Sequence, residues 1–352
     1  MESKRLYFGG DRKVSVLEGP VGEPGPGEVL LEIGAAGVCG SDLHYLFRVP
    51  SEERGKPRLG VTINPDVAPG HEPAGVVSAV GPGVTDLAVG QRVVVHHISG
   101  CGHCDWCTRD LPMHCAGKKT YGFDIHGAFA EHMVAKVKDC IVVPEGLSLT
   151  EAAYCACGAG TAFNALVKLG VAGTDHVAVS GLGPVGLAAV LFAKKFGARV
   201  VAIDPAAERR ALAEQAGADL TLDPLNDDVV ARVREWSGGD GASVAIDCSG
   251  NAAARGTLLD AAALLGRVAF VGEGGTVSAQ VSEQIIHKQL TIVGSWVFGI
   301  SELAHMMRFV AERGIDLSSL ITHVYSIDEG QRAFDVADAG TSGKVVVTMG
   351  RA

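Results

Sequence analysis

The ten residues from Val177 to Gly186 restrict the fold of this chain more than any other stretch. Val177-Ala178-Val179-Ser180 reads as a buried strand, Gly181-x-Gly183-x-x-Gly186 follows, and an apolar helical run continues through Pro184 and Val185 to 196. A G-x-G-x-x-G alone is weak evidence, but between a strand and a helix it has the context that dinucleotide binding needs. The first glycine permits a tight turn, the second lets backbone approach a pyrophosphate, and the third lets helix and strand pack closely. The helix N-terminus adds free N–H groups and a favourable dipole for phosphates. Predicted strands at 176–180, 199–204, 219–223, 244–249, 267–272 and 290–295 alternate with predicted helices at 185–196, 206–216, 227–236 and 252–265. Parallel connections need crossover helices, so this alternation builds a doubly wound α/β sheet. Asp204 ends the second of these strands, about 20 residues on, where an acid accepts hydrogen bonds from the adenosine ribose. A carboxylate there repels a 2′-phosphate, so NAD is favoured over NADP. Arg209 either serves a phosphate or lies on the solvated face of the next helix. Asp247, just before Cys248, is either structural or lines the cofactor cleft.

The part before 158 reads differently. Short β-like runs at 14–16, 29–33, 75–80, 92–97 and 140–143 are separated by Gly- and Pro-rich turns, as in a small irregular β domain. The polar, proline-containing stretch 47–68 is a lid or a solvated insertion. After 296 the sequence predicts a helix at 302–313, a strand at 322–326, a helix at 327–339 and a strand at 344–349. This tail is expected to return to the first domain. A length of 352 residues suits about two domains. The formal charge of −10 leaves no basic field for nucleic acid or an anionic membrane. No apolar run approaches the ~18 residues of a membrane span. The start of the chain lacks an apolar signal region, which points to a cytoplasmic location. In that reducing compartment nine cysteines mean metal or thiol chemistry rather than disulfides.

Four of them form Cys101-x2-Cys104-x2-Cys107-x7-Cys115. Two-residue spacers let a turning backbone aim successive thiolates at one tetrahedral zinc, and four thiolates leave no open position. That site is expected to be closed and structural. A second set is dispersed: Cys39, in Cys39-Gly40-Ser41-Asp42-Leu43-His44, then His71 before Glu72, then Cys157. Two cysteines and a histidine make the three protein ligands of a catalytic zinc with its fourth position open. Cys155, two residues from Cys157, is the rival third ligand.

Taken in order, these motifs resemble the zinc-dependent alcohol dehydrogenases of the medium-chain dehydrogenase/reductase family over essentially the whole chain. The resemblance implies a GroES-like β-barrel catalytic domain made of 1–157 and 297–352, with a structural zinc lobe at 100–116. It also implies a Rossmann NAD-binding domain at 158–296 and an active site in the cleft between the two. It makes Cys39, His71 and Cys157 the catalytic-zinc ligands and Glu72 an acidic neighbour or transient ligand. Asp42 becomes the carboxylate that orients His71. Ser41 takes the substrate proton and passes it through the cofactor ribose toward His44. Gly181, Gly183, Pro184, Val185, Gly186, Asp204, Arg209, Cys248, Val271 and Ser295 border the cofactor, while Trp296 and Phe298 either touch it or belong to the core. Zinc held by two thiolates and a neutral imidazole stays a Lewis acid that acidifies an alcohol, whose hydride then passes to the nicotinamide.

The Cys-Gly-Ser-Asp form resembles the polyol and threonine dehydrogenase branches, which favours a secondary alcohol on a polyol, cyclitol, sugar-like or amino-alcohol substrate. Cys157 resembles plain alcohol dehydrogenases instead. A carbonyl reductase and a non-catalytic regulatory protein on the same fold are the competing readings. The family is commonly a homodimer or homotetramer, and two zinc ions per chain are expected.

Overall fold

The computed structural model describes residues 1–58 and 61–350, so the middle of the 47–68 stretch and the last two residues of the tail lie outside the described residues. The chain divides into two compact units. One comprises Met1–Gly160, Phe298–Ala339 and Lys344–Ala352; the other comprises Thr161–Val297 and Gly340–Gly343.

The first unit is organised around the strand Glu28–Val38, which is buried along most of its length. It pairs antiparallel with Pro73–Val80, with His132–Lys136 and, through 35–38, with Lys344–Thr348. Arg92–Val95 and Cys140–Val142 continue one side of this seven-stranded sheet, and Ile321–Ser326 closes the other. The end of the chain thus completes a sheet begun by residue 28. Glu2–Gly10 and Lys13–Pro20 form a separate hairpin, turning at Asp11 and Arg12 with φ of 53° and 59°. Left-handed residues at both centres match the right-handed twist of the strands. In the core beneath it Phe8 packs edge to face with Phe47 and with Phe334, and Phe129 does so with Phe334, the Phe8 and Phe334 centroids lying 4.7 Å apart. The 47–68 stretch contributes Val49, Ile63 and Ala68 to the interior, so its described part is anchored rather than merely solvated.

The second unit is a six-stranded parallel sheet. Its spatial order is Leu220–Leu222, Arg199–Ile203, His176–Ser180, Ala242–Asp247, Ala262–Phe270, Thr291–Gly294. The strand order reverses at His176–Ser180, the switch point beside which open α/β sheets bind ligands. The predicted helix 252–265 ends early, at Ala261, and Ala262–Phe270 is strand. Ala262-Ala263-Leu264-Leu265 favours helix locally, but pairing of Ala262 with Ala242 overrides that preference. No helix among the described residues is long and apolar enough to cross a membrane.

Candidate active site and metal centres

Strand Glu28–Val38 delivers Cys39 to the start of a short turn, Gly40–Asp42, that runs directly into a π-helical turn at Leu43–Phe47. Asp42 organises this corner. One carboxylate oxygen accepts the Cys39 backbone N–H at 2.9 Å, and the other lies 3.0 Å from His71 Nδ1. Asp42 is fully buried, so the pair fixes the imidazole with its Nδ1 proton toward the acid and leaves Nε2 as the free ligand atom. His71 Nε2 is buried and has no hydrogen-bond partner. Cys157 arrives from the π-helical turn Cys155–Ala159, with its Sγ 4.0 Å from Cys39 Sγ.

Ligand atoms of Cys39, His71, Glu72 and Cys157 all lie within 4.8 Å of one another. Two thiolates about 2.3 Å from a tetrahedral zinc are roughly 3.8 Å apart. An unpartnered buried nitrogen beside two sulfurs at that spacing fits the metal. Cys155 is also buried but stays outside the group, and burial first, then Glu151 and Glu72, push its thiol far up. Within the pair, the contact with Cys157 and then the His71 charge hold Cys39 well below a normal thiol, although burial opposes this. Cys157 is raised by the same contact and by burial.

Glu72 is fully buried and ion-paired through Oε2 with Lys344, while its Oε1 has no hydrogen-bond partner. Burial lifts its pKa to about 7 against the pull of the Lys344 charge. Ser41 Oγ sits 3.6 Å from Cys39 Sγ, and His44 is exposed, with Nδ1 3.5 Å from Arg48. Two residues that the motifs do not mark also belong here. His97 packs its ring 5.6 Å from that of His71 and donates Nδ1–H to Ala156 O at 2.9 Å. Burial, then the His96 and His71 rings, hold it well below the usual histidine range, so it is neutral. Lys344 is the other. The signal for His97 was an adjacent His96-His97 pair closing an apolar strand.

The four-cysteine lobe is gathered as well: Cys101, Cys104, Cys107 and Cys115 bring their sulfurs within 4.8 Å of one another. The backbone at Cys101 and Cys104 feeds N–H groups to sulfur, with Cys104 N–H donating to Cys101 Sγ at 3.3 Å and Cys101 N–H to Cys115 Sγ at 3.4 Å. His103 turns away to the Cys101 carbonyl, 3.1 Å off, and is not a ligand atom of the group.

In the second unit Gly181 has φ of +86°, and a Cβ on Gly186 would stand 1.9 Å from Gly181 O. Both positions therefore exclude side chains. A Cβ on Gly183 meets only the Arg209 guanidinium, 3.9 Å away, which leaves open space before the helix Pro184–Lys195. That cradle fits a pyrophosphate. Asp204 is buried and accepts N–H from Leu182 at 2.7 Å and from Ala206 at 2.8 Å, so one lone pair per oxygen remains for a ribose. Arg209 is not on a solvated face: it is partly buried over Gly183, and its Nε donates to Ser342 O at 3.3 Å.

Asp247 is structural. Its oxygens accept from the Ser249 N–H and hydroxyl and from Arg255 Nε, and Arg255 in turn holds the carbonyls of Gly272, Gly274 and Thr276. This pair fixes the loops that carry Cys248 and Val271. Ser295 keeps a buried hydroxyl without a partner in the same unit, where Trp296 is partly exposed. Phe298 belongs to the first unit and packs edge-on against His96 and His97.

Replacing Asp42 by asparagine keeps the shape but removes the charge that holds His71. Zinc affinity at this centre is expected to fall about 10–100-fold. Competition with a chromophoric chelator reads this directly, and unchanged affinity would remove Asp42 from the role.

Residues 25–145 match the alcohol dehydrogenase GroES-like domain, and residues 184–312 match the zinc-binding dehydrogenase domain. The chain is 38% identical over 350 residues to YphC of Escherichia coli K12, an uncharacterized zinc-type alcohol dehydrogenase-like protein, covering 97% of this chain and 98% of that one. It is 34% identical to L-threonine 3-dehydrogenase of Pyrococcus furiosus, covering 95% and 94%. Among solved structures, a putative zinc-binding dehydrogenase from Sinorhizobium meliloti 1021 bound to NADP superposes with a TM-score of 0.88 at 27% identity, covering 99% and 100%. With both domain types matched in order and relatives aligned end to end, the chain belongs to the zinc-dependent alcohol dehydrogenases of the medium-chain dehydrogenase/reductase family.

Proposed function

We propose that this oxidoreductase uses NAD to oxidise a secondary alcohol on a polyol, cyclitol, sugar-like or amino-alcohol substrate, or runs the reverse reduction. The observation that carries the reading is the buried group of Cys39, His71, Glu72 and Cys157 with an unpartnered His71 Nε2. In this reading Cys39, His71 and Cys157 hold the zinc, which when bound supplies the Lewis acidity that lets an alcohol lose its proton near neutral pH. Asp42 keeps His71 in the tautomer that presents Nε2. Ser41 accepts the substrate proton, and exposed His44 releases it to solvent. Gly181, Gly183 and Gly186 admit the cofactor pyrophosphate, and Asp204 accepts the adenosine ribose hydroxyls.

Two observations favour a polar substrate. Neutral His97 adds a polar ring beside the metal ligands, and curated relatives include enzymes named L-threonine 3-dehydrogenase. The deciding experiment is reduction of NAD and NADP by zinc-loaded protein with primary alcohols, secondary alcohols, polyols, cyclitols and amino alcohols. An NAD-linked rate with a polyol or amino alcohol supports the reading. Rates confined to simple alcohols would replace the substrate class, and a silent panel would favour a protein without catalysis.

Asp204→Ala is expected to weaken NAD about tenfold or more while weakening NADP less, since a hydrogen bond to a charged group is worth ~1.5–3 kcal/mol. Equal losses in a cofactor titration would detach Asp204 from the ribose. Association as a dimer or tetramer has a surface available: Thr291–Gly294 is an edge strand, and Leu264, Leu265 and Ile286 are exposed. Light scattering at micromolar concentration is expected to give a multiple of the 36.3 kDa chain mass.

A further inference from the structure

The first unit contains a second concave site, separate in its residues from the metal ligands and unused by the chemistry above. It encloses about 290 Å³ between the amino-terminal hairpin and the strand His132–Lys136. Arg5, Lys119 and Lys136 line it, and among the described residues none of the three has an ion-pair partner. Three buried or half-buried cations elsewhere are paired with acids, Arg255 with Asp247, Arg267 with Asp175 and Lys344 with Glu72, whereas among the described residues no acid neutralises the three that line this cavity. The one acid in the lining, Glu28, spends Oε2 on the Gly25 N–H at 3.0 Å.

Two histidines add donors. His126 Nδ1 accepts the Ala68 N–H at 3.0 Å, so the neutral ring carries its proton on Nε2. His132, also in the lining, has a buried Nδ1 with no partner. The remaining wall is largely apolar, supplied by Val21, Ile125, Met133 and Val134. A volume near the lower end of the usual ~300–1,000 Å³ range admits a small molecule and excludes a dinucleotide. Unpaired cations over an apolar wall match a ligand with one anionic head and a compact apolar body.

We propose that this cavity is a binding site for a small amphipathic anion, an aromatic or short aliphatic group bearing a carboxylate or a phosphate. The cations hold the head, with the guanidinium of Arg5 suited to a two-point contact, and the apolar wall covers the body. The site is independent of the alcohol chemistry, so it stands or falls separately from it.

Calorimetric titration of the zinc-loaded protein with benzoate, phenyl phosphate, inorganic phosphate and neutral benzamide tests this. Benzoate or phenyl phosphate is expected to bind saturably, the tighter of the two identifying the head group, with benzamide at least tenfold weaker. Arg5→Gln and Lys136→Gln are each expected to weaken the bound anion about tenfold, as loss of a charged hydrogen bond does. Gly22→Phe serves as a steric arm. Gly22 lines the cavity without a left-handed φ, and a Cβ there meets nothing within 4 Å, so the ring is accommodated without backbone strain while the cavity is filled. It is expected to abolish binding with the thermal melt unchanged. No saturable binding of either organic anion, or binding that survives all three substitutions, overturns the proposal. Inorganic phosphate binding as tightly as phenyl phosphate overturns the amphipathic part.

Discussion

Cys39→Ala is expected to lower the zinc content from two ions per chain to one and to remove alcohol-linked reduction of NAD. Cys39 supplies one of the two sulfurs at the buried centre, and its corner is tied to His71 through the Asp42 carboxylate. Taking that sulfur away leaves one imidazole, one thiol and a carboxylate already held by Lys344, too few free donors for a closed three-ligand set. The four-cysteine lobe keeps its own zinc, so the residual ion is predicted to be resistant to mild chelation and insensitive to this change. Acid should act in the same direction. In the metal-free protein His71 is held well above its usual pKa: burial opposes its charge, but Asp42 and Cys39 outweigh burial. Cys157 is raised too. Both must give up protons to bind metal, so affinity falls as pH falls. Elemental analysis of the variant, and zinc release to a chelator between pH 8 and pH 6, check the two arms. A variant that retains two ions would show that Cys39 is no ligand.

Much of the candidate site could be read from residue order because its chemistry is local. The glycine turn, the two-residue cysteine spacers and the Cys39–His44 run each encode a geometry in a few consecutive positions. Residue spacing alone does not separate Cys157 from Cys155, since either side chain could face inward from an isolated Cys-Ala-Cys; in the structure it is Cys157 Sγ that lies beside Cys39 and His71. Elements defined by distant pairing were harder. Glu2–Gly10 carries Lys4 and Arg5 and only the three-residue apolar run Leu6-Tyr7-Phe8, and His132–Lys136 is polar at both ends, yet both pair as strands. Asp247 was ambiguous because its partner Arg255 lies on the following helix and makes the bond only once that helix folds back.

Lys344 was the least legible residue, and replacing it should have the largest effect on stability. A lysine opening the run Lys344-Val345-Val346-Val347 reads as a solvated strand end. Instead it is fully buried, its Nζ paired with Glu72, donating to Val38 O at 2.9 Å and lying 5.4 Å from the Tyr154 ring centroid. Gly37 makes the room: a Cβ there would sit 1.9 Å from Glu72 Oε2 and 2.6 Å from Lys344 Cε. Lys344→Met leaves Glu72 buried without its cation, and breaking a buried pair in this way costs about 3–5 kcal/mol. The loss is expected in urea unfolding of zinc-stripped protein at pH 8. With zinc present it should be smaller, because Glu72 belongs to the group that could hold the metal and the ion would then compensate its charge.

The sign with pH follows from Glu72. Its folded pKa, about 7, lies above the ordinary value of 4.5, so the folded state binds more protons and Glu72 lowers stability progressively as pH rises through that window. Without Lys344 the penalty at pH 8 grows, whereas below about pH 5 Glu72 is neutral in both proteins. The deficit of Lys344→Met should therefore narrow on acidification. Adding Glu72→Gln should recover most of it at pH 8, since the double variant buries no charge at this position. A single variant that loses under ~1 kcal/mol in the stripped protein, within the range of exposed pairs, would show that the two charges are not buried against each other.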